Sequence, residues 1–282
     1  MKNYLMILFF LPLCLFSQED LLDEIDTDSI ADTYAEATFK ALKIVNFEST
    51  KLVAKKDFTL VVAHRFGSTD DDFDTFFGLD DAVTRLNFIY GLTDGLNIGV
   101  SRSSYQKIYQ SSIKYRLLRQ RENGFPFTLV GFNAILINTA LSTDNLPKLE
   151  FVNRLGYTFQ FLLSRKVNRN LSLELAPTFY HDNYVMINDQ DNSQFAIGFG
   201  GRYKVSKRWS INMNYELALN KAKDSSFRNP LSIGVDLETG GHVFQMHFTN
   251  AQPMNTNYFL GQATGDWSTG NIFFGFNLSR NF

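Results

Sequence analysis

The chain of 282 residues could hold one large domain or two small ones, and no Pro-, Gly- or Ser-rich linker divides it. Its 27 basic and 29 acidic residues give a formal net charge of −2, which argues against binding to nucleic acid. The single cysteine, Cys14, lies in the N-terminal segment described next, so disulfides are excluded from the rest of the chain.

Residues 1–17 have the features of a secretory signal peptide. Lys2 supplies the positive start, and residues 5–16 are almost entirely apolar. This run is too short to cross a bilayer as a helix, and the polar pair Ser17-Gln18 follows it. We therefore predict cleavage near Ser17 and export from the cytoplasm.

Two further segments precede the first predicted strand. Residues 18–37 are rich in Asp and Glu, and we predict an acidic periplasmic arm or a solvated leader without a role. Residues 38–56 mix apolar and polar side chains, and we predict that they plug or line the base of a barrel. The barrel domain as a whole is predicted to span residues 38–282.

From residue 57 to the end, apolar and polar residues alternate with a period of two, which is typical of β-strands with one apolar face. In the third segment, for example, Leu96, Ile98 and Val100 alternate with polar or small residues. The twelve predicted strands are 57–66, 82–91, 96–102, 106–118, 126–138, 149–164, 171–180, 195–204, 209–220, 231–238, 242–249 and 271–282.

The connections between these strands are sorted by length. Those after the even-numbered strands are short turns, whereas those after the odd-numbered strands are longer polar loops, with one exception near residues 103–105. Short turns at one end, long loops at the other and an even strand count are typical of an outer-membrane barrel. Because open sheet edges cannot lie in hydrocarbon, we predict an all-β fold: a closed antiparallel transmembrane β-barrel of about 12 strands. A soluble periplasmic barrel or sandwich is the alternative.

The last strand places alternate residues on one apolar face, interrupted by Arg280. A strand that ends the chain on an aromatic residue resembles the closing strand of bacterial outer-membrane barrels, which the barrel assembly machinery reads. The predicted assembly signal consists of Phe274, Phe276, Leu278 and Phe282.

The polar faces of the strands are predicted to line the lumen, with basic residues mainly on the early strands and acidic residues on strands seven, nine and ten. Either the lumen is electrostatically split, or ion pairs fill a narrow interior. The predicted polar network consists of His64, Arg65, Asp80, Arg85, Lys114, Arg116, Arg154, Glu174, Arg202, Glu216 and Asp236.

Signatures of enzymes and metal sites are weak. The chain has no Gly-x-Ser-x-Gly elbow, and no pair of histidines has the helical spacing of metal ligands. His181 falls in a predicted loop, and we interpret it as a solvated residue. The run of Asp at residues 70–74 lacks the ligand spacing and glycine of a calcium loop. We therefore predict no enzyme, no metal and no cofactor.

Several short motifs stand out along the chain. They are Thr38-Phe39-Lys40, Ile44-Val45-Asn46, His64-Arg65-Phe66-Gly67, Phe77-Gly78-Leu79-Asp80, Arg85-Leu86, Tyr90-Gly91-Leu92-Thr93-Asp94 and Lys114-Tyr115-Arg116-Leu117-Leu118-Arg119-Gln120. These motifs resemble those of a family of Bacteroidetes β-barrel proteins known as domain of unknown function 5777. The resemblance implies an outer-membrane barrel and brings no catalytic residues to this chain.

Together these observations predict an outer-membrane barrel that acts as a passive pore or uptake channel for a small solute. Its predicted partners are the lipid bilayer, the barrel assembly machinery and that solute, with no nucleic acid. Two alternatives stay open: a structural barrel with a filled lumen, and an outer-membrane lipid-modifying enzyme with a His/Ser pair on its lipid-facing rim.

Overall fold

The computed structural model describes residues 34–70, 78, 81–186 and 189–282. These residues form a small hairpin, twelve barrel strands and one short helix, α1 (Thr256–Gly261). The strands of the hairpin are β1 (Lys43–Ile44) and β2 (Phe47–Glu48). The barrel strands are β3 (Phe58–Ser68), β4 (Val83–Thr93), β5 (Leu96–Ser103), β6 (Ile108–Leu118), β7 (Thr128–Asn138), β8 (Leu155–Lys166), β9 (Leu171–Asp182), β10 (Ser193–Lys204), β11 (Trp209–Ala218), β12 (Leu231–Thr239), β13 (His242–Thr249) and β14 (Phe273–Asn281).

Every barrel strand pairs antiparallel with its neighbours in the chain, and β14 pairs with β3 to close the sheet. The closing register places Phe276 opposite His64 and Asn277 opposite Ala63. Closure leaves no strand edge with unpaired backbone groups, which is the condition for a sheet in hydrocarbon. The predicted fold class is therefore confirmed. Among the described residues, no helix is long and apolar enough to cross a membrane.

The outer face of the barrel is apolar and its inner face is polar, which is the reverse of the arrangement in a soluble protein. On β11, Met213 points outward and is 53% exposed, whereas its neighbour Asn214 points inward and is 0% exposed. The same alternation of exposed apolar and buried polar residues recurs around the barrel. An apolar outer surface of this extent needs lipid around it.

The connections are sorted as predicted. Two-residue turns join β4 to β5 and β12 to β13, and both chain termini of the barrel lie at this short-turn end. Longer segments, such as 139–154 and 250–272, connect strands at the opposite, long-loop end. Two strands begin later than predicted because short 3-10 helices, Tyr105–Lys107 and Phe151–Arg154, precede them. The predicted signal peptide and most of the acidic arm lie outside the described residues.

Residues 39–54, here called the plug, enter the lumen from the short-turn end and carry the β1–β2 hairpin at their tip. Phe39, Ile44 and Phe47 are buried among inward-facing residues of the barrel, in agreement with the predicted plug. The hairpin turns at Val45, whose φ of 57° is left-handed. A β-branched residue is strained there, so the surrounding contacts must hold the turn in place.

A second segment fills the lumen from the long-loop end. Helix α1 brings Phe259 and Leu260 inward, where they join one apolar cluster with Phe47 of the plug. Inward residues of β7 and β8, including Phe132 and Leu162, complete this cluster. The interior of the barrel is therefore occupied from both ends in this conformation.

Glycines in β10 leave room for the plug. A Cβ atom at Gly198 would lie 3.0 Å from the ring of Phe47, and one at Gly200 would clash with the same ring. The next residue, Gly201, faces outward, where a Cβ would meet only Leu173 at 3.3 Å and a backbone oxygen at 3.5 Å. The absence of side chains at positions 198 and 200 thus explains how Phe47 reaches the wall.

We expect Gly200→Val to destabilise the folded barrel by about 1–3 kcal/mol, because the added methyl groups overpack against Phe47. Thermal unfolding, followed as the loss of the heat-modifiable gel band, measures this effect. Gly201→Val on the outward face is the matched control and should leave the unfolding temperature unchanged. Adding Phe47→Ala to Gly200→Val should recover part of the loss, and strictly additive effects of the two substitutions would contradict this packing.

Candidate functional site: the plugged lumen

The strongest contact between plug and wall is a buried triplet of charges. Glu48 in the plug accepts hydrogen bonds from Lys43, also in the plug, at 2.6 Å and from Lys114 of β6 at 3.0 Å. Lys114 also donates to the backbone oxygen of Leu42 at 3.3 Å. One carboxylate thus pairs with two ammonium groups inside the barrel, and its removal leaves both of them buried and unpaired.

The pKa values of the two plug residues, which lie outside the membrane-spanning strands, follow from this arrangement. Burial alone would raise the pKa of Glu48, but the ammonium groups of Lys43 and Lys114 lower it to about 2. Burial lowers the pKa of Lys43 to about 8, although Glu48 acts in the opposite direction. Glu48 therefore stays ionised at neutral pH and holds both partners.

Two buried arginines lie on the same side of the lumen. Arg65 donates to Asn46 at the plug tip at 2.8 Å and to Asn277 of β14 at 3.0 Å. Arg85 donates to the backbone oxygen of Met254 at 2.7 Å and to Ser101. Neither guanidinium makes an ion pair within the described part of the chain. Both cations are therefore held by neutral groups, one by the plug and one by the long loop that carries α1.

The acidic residues lie on the other side of the lumen. Glu174 of β9 accepts a hydrogen bond from the backbone N–H of Thr50 at 2.9 Å. Glu216 accepts from Asn214 at 2.8 Å, and Asp236 accepts from Gln245 at 2.9 Å. Arg202 of β10, which donates to Ser210 at 3.0 Å, lies between the strands that carry Glu174 and Glu216, so this side of the lumen holds both signs of charge.

Hydrogen bonds fix the remainder of the plug. The Asn46 side chain donates to Thr249 at 3.0 Å and to Ser232 at 3.3 Å, so the tip is bound to β12 and β13. Near its base, Val53 exchanges two hydrogen bonds with the side chain of Asn97, at 2.8 and 2.9 Å. Thr50 and Ser164 share a hydrogen bond of 2.6 Å between their hydroxyls. The plug is thus bonded to strands around most of the barrel.

A cavity of about 400 Å³, here called the vestibule, opens beside the plug at the short-turn end. Its outer wall is residues 35–38, which are held by hydrogen bonds from Lys166 to the Glu36 oxygen and from Arg202 to the Ala37 oxygen. The charged residues that line it are Glu36, Lys40, Lys51, Arg116, Arg119 and Glu238. Four cations against two carboxylates make the vestibule basic.

The residues of the predicted polar network divide between these places. Arg65, Arg85 and Lys114 contact the plug or the long loop, and Arg116 lines the vestibule. Arg202 contacts the segment that leads into the plug. Asp80 lies outside the described residues.

Two of the predicted lumen residues are not in the lumen. His64 faces outward, because successive residues of a strand point to opposite faces and its neighbour Arg65 points inward. There it stacks on Phe276, with ring centroids 5.3 Å apart. Arg154 lies in the 3-10 helix before β8, where it donates to the backbone oxygen of Leu141 at 2.5 Å and so holds its own loop.

His181 also differs from its prediction. It is the second-last residue of strand β9 rather than part of a loop, and its side chain faces outward. Its Nδ1 lies 2.9 Å from Oγ of Ser193, and its Nε2 lies 2.9 Å from Oδ1 of Asn183. The sequence alone could not show this array, because the pairing of β9 with β10 brings Ser193 to it.

The comparisons with known proteins agree with this architecture. The family description "membrane bound beta barrel domain", domain of unknown function 5777, matches residues 39–282. The chain belongs to this family. The match includes the plug as well as all twelve barrel strands, so the plug is part of the family's domain. No curated protein sequence matches the chain significantly.

Solved porin and channel structures have a similar fold. The NanC porin is 9% identical, with a TM-score of 0.50 over 80% of this chain and 98% of that one. The KdgM porin is 9% identical, with a TM-score of 0.49 over 79% and 99% of the two chains. An outer membrane channel from Pseudomonas putida F1 is 13% identical, with a TM-score of 0.46 over 82% and 97%. At such identities the likeness to the NanC porin shows a common barrel fold and nothing about the solute.

We expect the plug to be bound less tightly in the lumen at acidic pH, because Glu48 becomes protonated. Its pKa of about 2 lies below the ordinary value of 4.5, so its stabilising effect is complete above pH 4.5 and is lost as the pH falls towards 2. Hydrogen exchange of the plug amides, followed by mass spectrometry, should therefore accelerate over that window.

The variant Glu48→Gln should exchange faster than the wild type already at pH 7, since it leaves two buried ammonium groups unpaired at a cost of about 3 kcal/mol or more. Glu36→Gln, which replaces an exposed carboxylate, is the matched control and should behave as wild type. Equal plug exchange in Glu48→Gln and wild type at pH 7 would contradict the role of the charge triplet.

Proposed function

We propose that the protein is an outer-membrane channel for a small solute and that the plug holds it closed in the conformation described above. The observation that carries this proposal is the chemistry of the wall behind the plug. Inward residues of β11–β14 and β3–β6 are mostly polar or charged, although they are fully buried. A wall that never met water would be expected to be apolar, because burying polar groups costs free energy unless each is paired.

Unpaired polar atoms that face the lumen support the same conclusion. Oε1 of Glu174, Oε2 of Glu216 and both ring nitrogens of His247 are buried without a hydrogen-bond partner among the described residues. Such groups cost about 1–3 kcal/mol each when they are dry and unpaired. Their free energy falls when the plug withdraws and the lumen fills with solution, which favours a removable plug over a permanent core.

A filled structural barrel is the second candidate, and one observation favours it. Phe47 of the plug and Phe259 of α1 belong to the same apolar cluster, so the two lumen-filling segments stabilise each other. In that case the plug would be a permanent part of the core and the polar wall a set of structural contacts. The two functions differ in whether the plug must leave the lumen.

The location and assembly of the barrel form part of the same proposal. We infer an outer-membrane location, with the short-turn end in the periplasm. The four residues of the predicted assembly signal, Phe274, Phe276, Leu278 and Phe282, lie on the outward-facing side of the closing strand or directly after it. They are thus available to the barrel assembly machinery before the strand pairs with β3.

We expect a disulfide between plug and wall to lock the channel. Thr50→Cys combined with Ser164→Cys replaces two hydroxyls that are 2.6 Å apart, close enough for a disulfide after small adjustments. The single native cysteine, Cys14, lies in the predicted signal peptide and does not interfere. In planar bilayers the oxidised double variant should show no openings, and reduction should restore those of the wild type.

The single variants Thr50→Cys and Ser164→Cys are the matched controls and should conduct regardless of redox state. An absence of openings in the wild type and in Glu48→Gln would contradict the channel and support the structural barrel. Identical currents in the oxidised and reduced double variant would show that the measured current does not run through the lumen that the plug fills.

We further expect the channel to prefer anions, because the vestibule carries four basic and two acidic side chains. Arg116→Gln should shift the reversal potential in a salt gradient towards cation permeation. Arg169→Gln, in a turn at the same end but outside the vestibule, is the matched control. An unchanged reversal potential in Arg116→Gln would exclude the vestibule from the conduction path.

A further inference from the structure

Three polar side chains form a hydrogen-bonded array on the outer face of the barrel, at the long-loop end. Ser193 begins β10 and lies directly opposite His181 in the ladder with β9. Oγ of Ser193 is 2.9 Å from Nδ1 of His181, and Oδ1 of Asn183 is 2.9 Å from Nε2. A hydroxyl, an imidazole and an orienting oxygen in this order are the parts of an activated serine nucleophile.

The neighbours of Asn183 decide which nitrogen of His181 carries the proton. The amide nitrogen of Asn183 donates to the backbone oxygen of Val152 at 2.7 Å, so its oxygen must be the atom that faces the imidazole. An amide oxygen only accepts hydrogen bonds, and Nε2 therefore carries the proton. The lone pair is then on Nδ1, where it accepts the hydroxyl proton of Ser193. This is the tautomer that a general base requires.

The array faces the membrane and not the lumen. On the adjacent rung of the ladder, Tyr180 and Gln194 point inward and share a hydrogen bond of 2.8 Å. His181 and Ser193 consequently point outward, above the lipid-facing rings of Phe179 and Phe195 in the same two strands. All three side chains of the array are only half-buried, so a lipid at the rim of the barrel can reach the hydroxyl.

An apolar groove of about 410 Å³ lies next to the array. Two of its lining residues, Asn153 and Tyr184, adjoin Val152 and Asn183, the residues whose hydrogen bond orients the array. Its other lining residues are Leu146, Pro147, Lys148 and Leu149. Phe151 beside the groove is 65% exposed, so the lipid-facing surface of the barrel extends to it. The groove is therefore suited to an acyl chain.

We propose that Ser193, His181 and Asn183 form an ester-hydrolase site for acyl-ester lipids of the surrounding membrane. This function is separate from the channel, because the array and the plug lie on opposite faces of the barrel wall. Ser193 and His181 are the catalytic residues, and Asn183 is a positioning residue.

The reaction follows from these roles, with water as the second substrate. Oγ of Ser193 attacks the ester carbonyl carbon while Nδ1 of His181 takes the hydroxyl proton. The bond from the acyl carbon to the lipid alcohol breaks, and the leaving oxygen takes that proton, which leaves an acyl ester on Ser193. Water then attacks the acyl carbon and gives a proton to Nδ1. The Ser193 oxygen leaves with that proton, and a carboxylic acid is released.

The first test asks whether Ser193 is an activated nucleophile, independently of the correct lipid. Folded protein in detergent is treated with a fluorophosphonate probe, and the modified residue is identified by peptide mass spectrometry. We expect labelling at Ser193, its complete loss in Ser193→Ala, and a decrease of about a hundredfold or more in His181→Gln. Ser142→Ala, in the exposed loop before β8, is the matched control and should be labelled as wild type.

Variants of Asn183 separate positioning from simple folding. Asn183→Asp keeps an oxygen that accepts from Nε2 and should retain labelling, whereas Asn183→Leu should lose it. Both variants lose the hydrogen bond to Val152, so equal loss in the two would overturn the positioning role. The heat-modifiable gel band confirms that each variant is folded.

The second test uses vesicles of phosphatidylethanolamine and phosphatidylglycerol that contain the reconstituted protein. Free fatty acid should be released by the wild type and by Ser142→Ala, but not by Ser193→Ala. A wild type that is unlabelled at Ser193, or labelled equally in His181→Gln, would overturn the hydrolase site. Labelling of Ser193 without release of fatty acid would overturn the lipid ester as its substrate.

Discussion

The structure depends on one constraint: backbone N–H and C=O groups cannot remain unpaired in hydrocarbon. The pairing of β14 with β3 meets it by removing the two edges that an open sheet of twelve strands would have. Closure in turn creates an interior, and side chains on alternate positions must point into it. The inward-facing side chains, helix α1 and the plug together fill that enclosed space.

The interior is filled by two kinds of contact with different energetics. On the side of β7–β10, small and apolar wall residues such as Ala176 accept Phe47 and the aromatic residue Phe259 of α1. On the opposite side, charged and amide side chains bind the plug through individual hydrogen bonds. The apolar side stabilises the filled state through burial, whereas the polar side holds the plug through individual hydrogen bonds and ion pairs, each of which can be lost separately. Removal of a single charged group such as the Glu48 carboxylate therefore weakens the binding of the plug to the wall more than the size of that side chain suggests.

Period-two alternation was enough to predict the strands, their faces and the two ends of the barrel, because lipid outside and polar groups inside leave a strong local pattern. Arg65, Arg85, Lys114 and Glu174 lie buried on the inward face that this alternation gives them. His64 was assigned wrongly because it was grouped with Arg65 by proximity in sequence, although adjacent residues of a strand face opposite ways. The partners of these side chains could not be predicted. Glu48 meets Lys114 only after residues 39–54 fold back into a barrel that the following strands build, and no local pattern encodes that contact.

The same pleat explains how one wall can carry two separate sites. At the top of β9 and β10, the rung of Tyr180 and Gln194 forms an inward hydrogen bond, and the next rung, His181 and Ser193, forms an outward one. The inward pair lies beside α1, since a Cβ at Gly261 would contact the hydroxyl of Tyr180 at 3.4 Å. The outward pair meets the membrane. The backbone ladder between β9 and β10 sets this register and so places the Ser193 hydroxyl within hydrogen-bond distance of the imidazole. Because the register comes from strand pairing and not from the plug, the outward array keeps its geometry whether the plug is in the lumen or has left it.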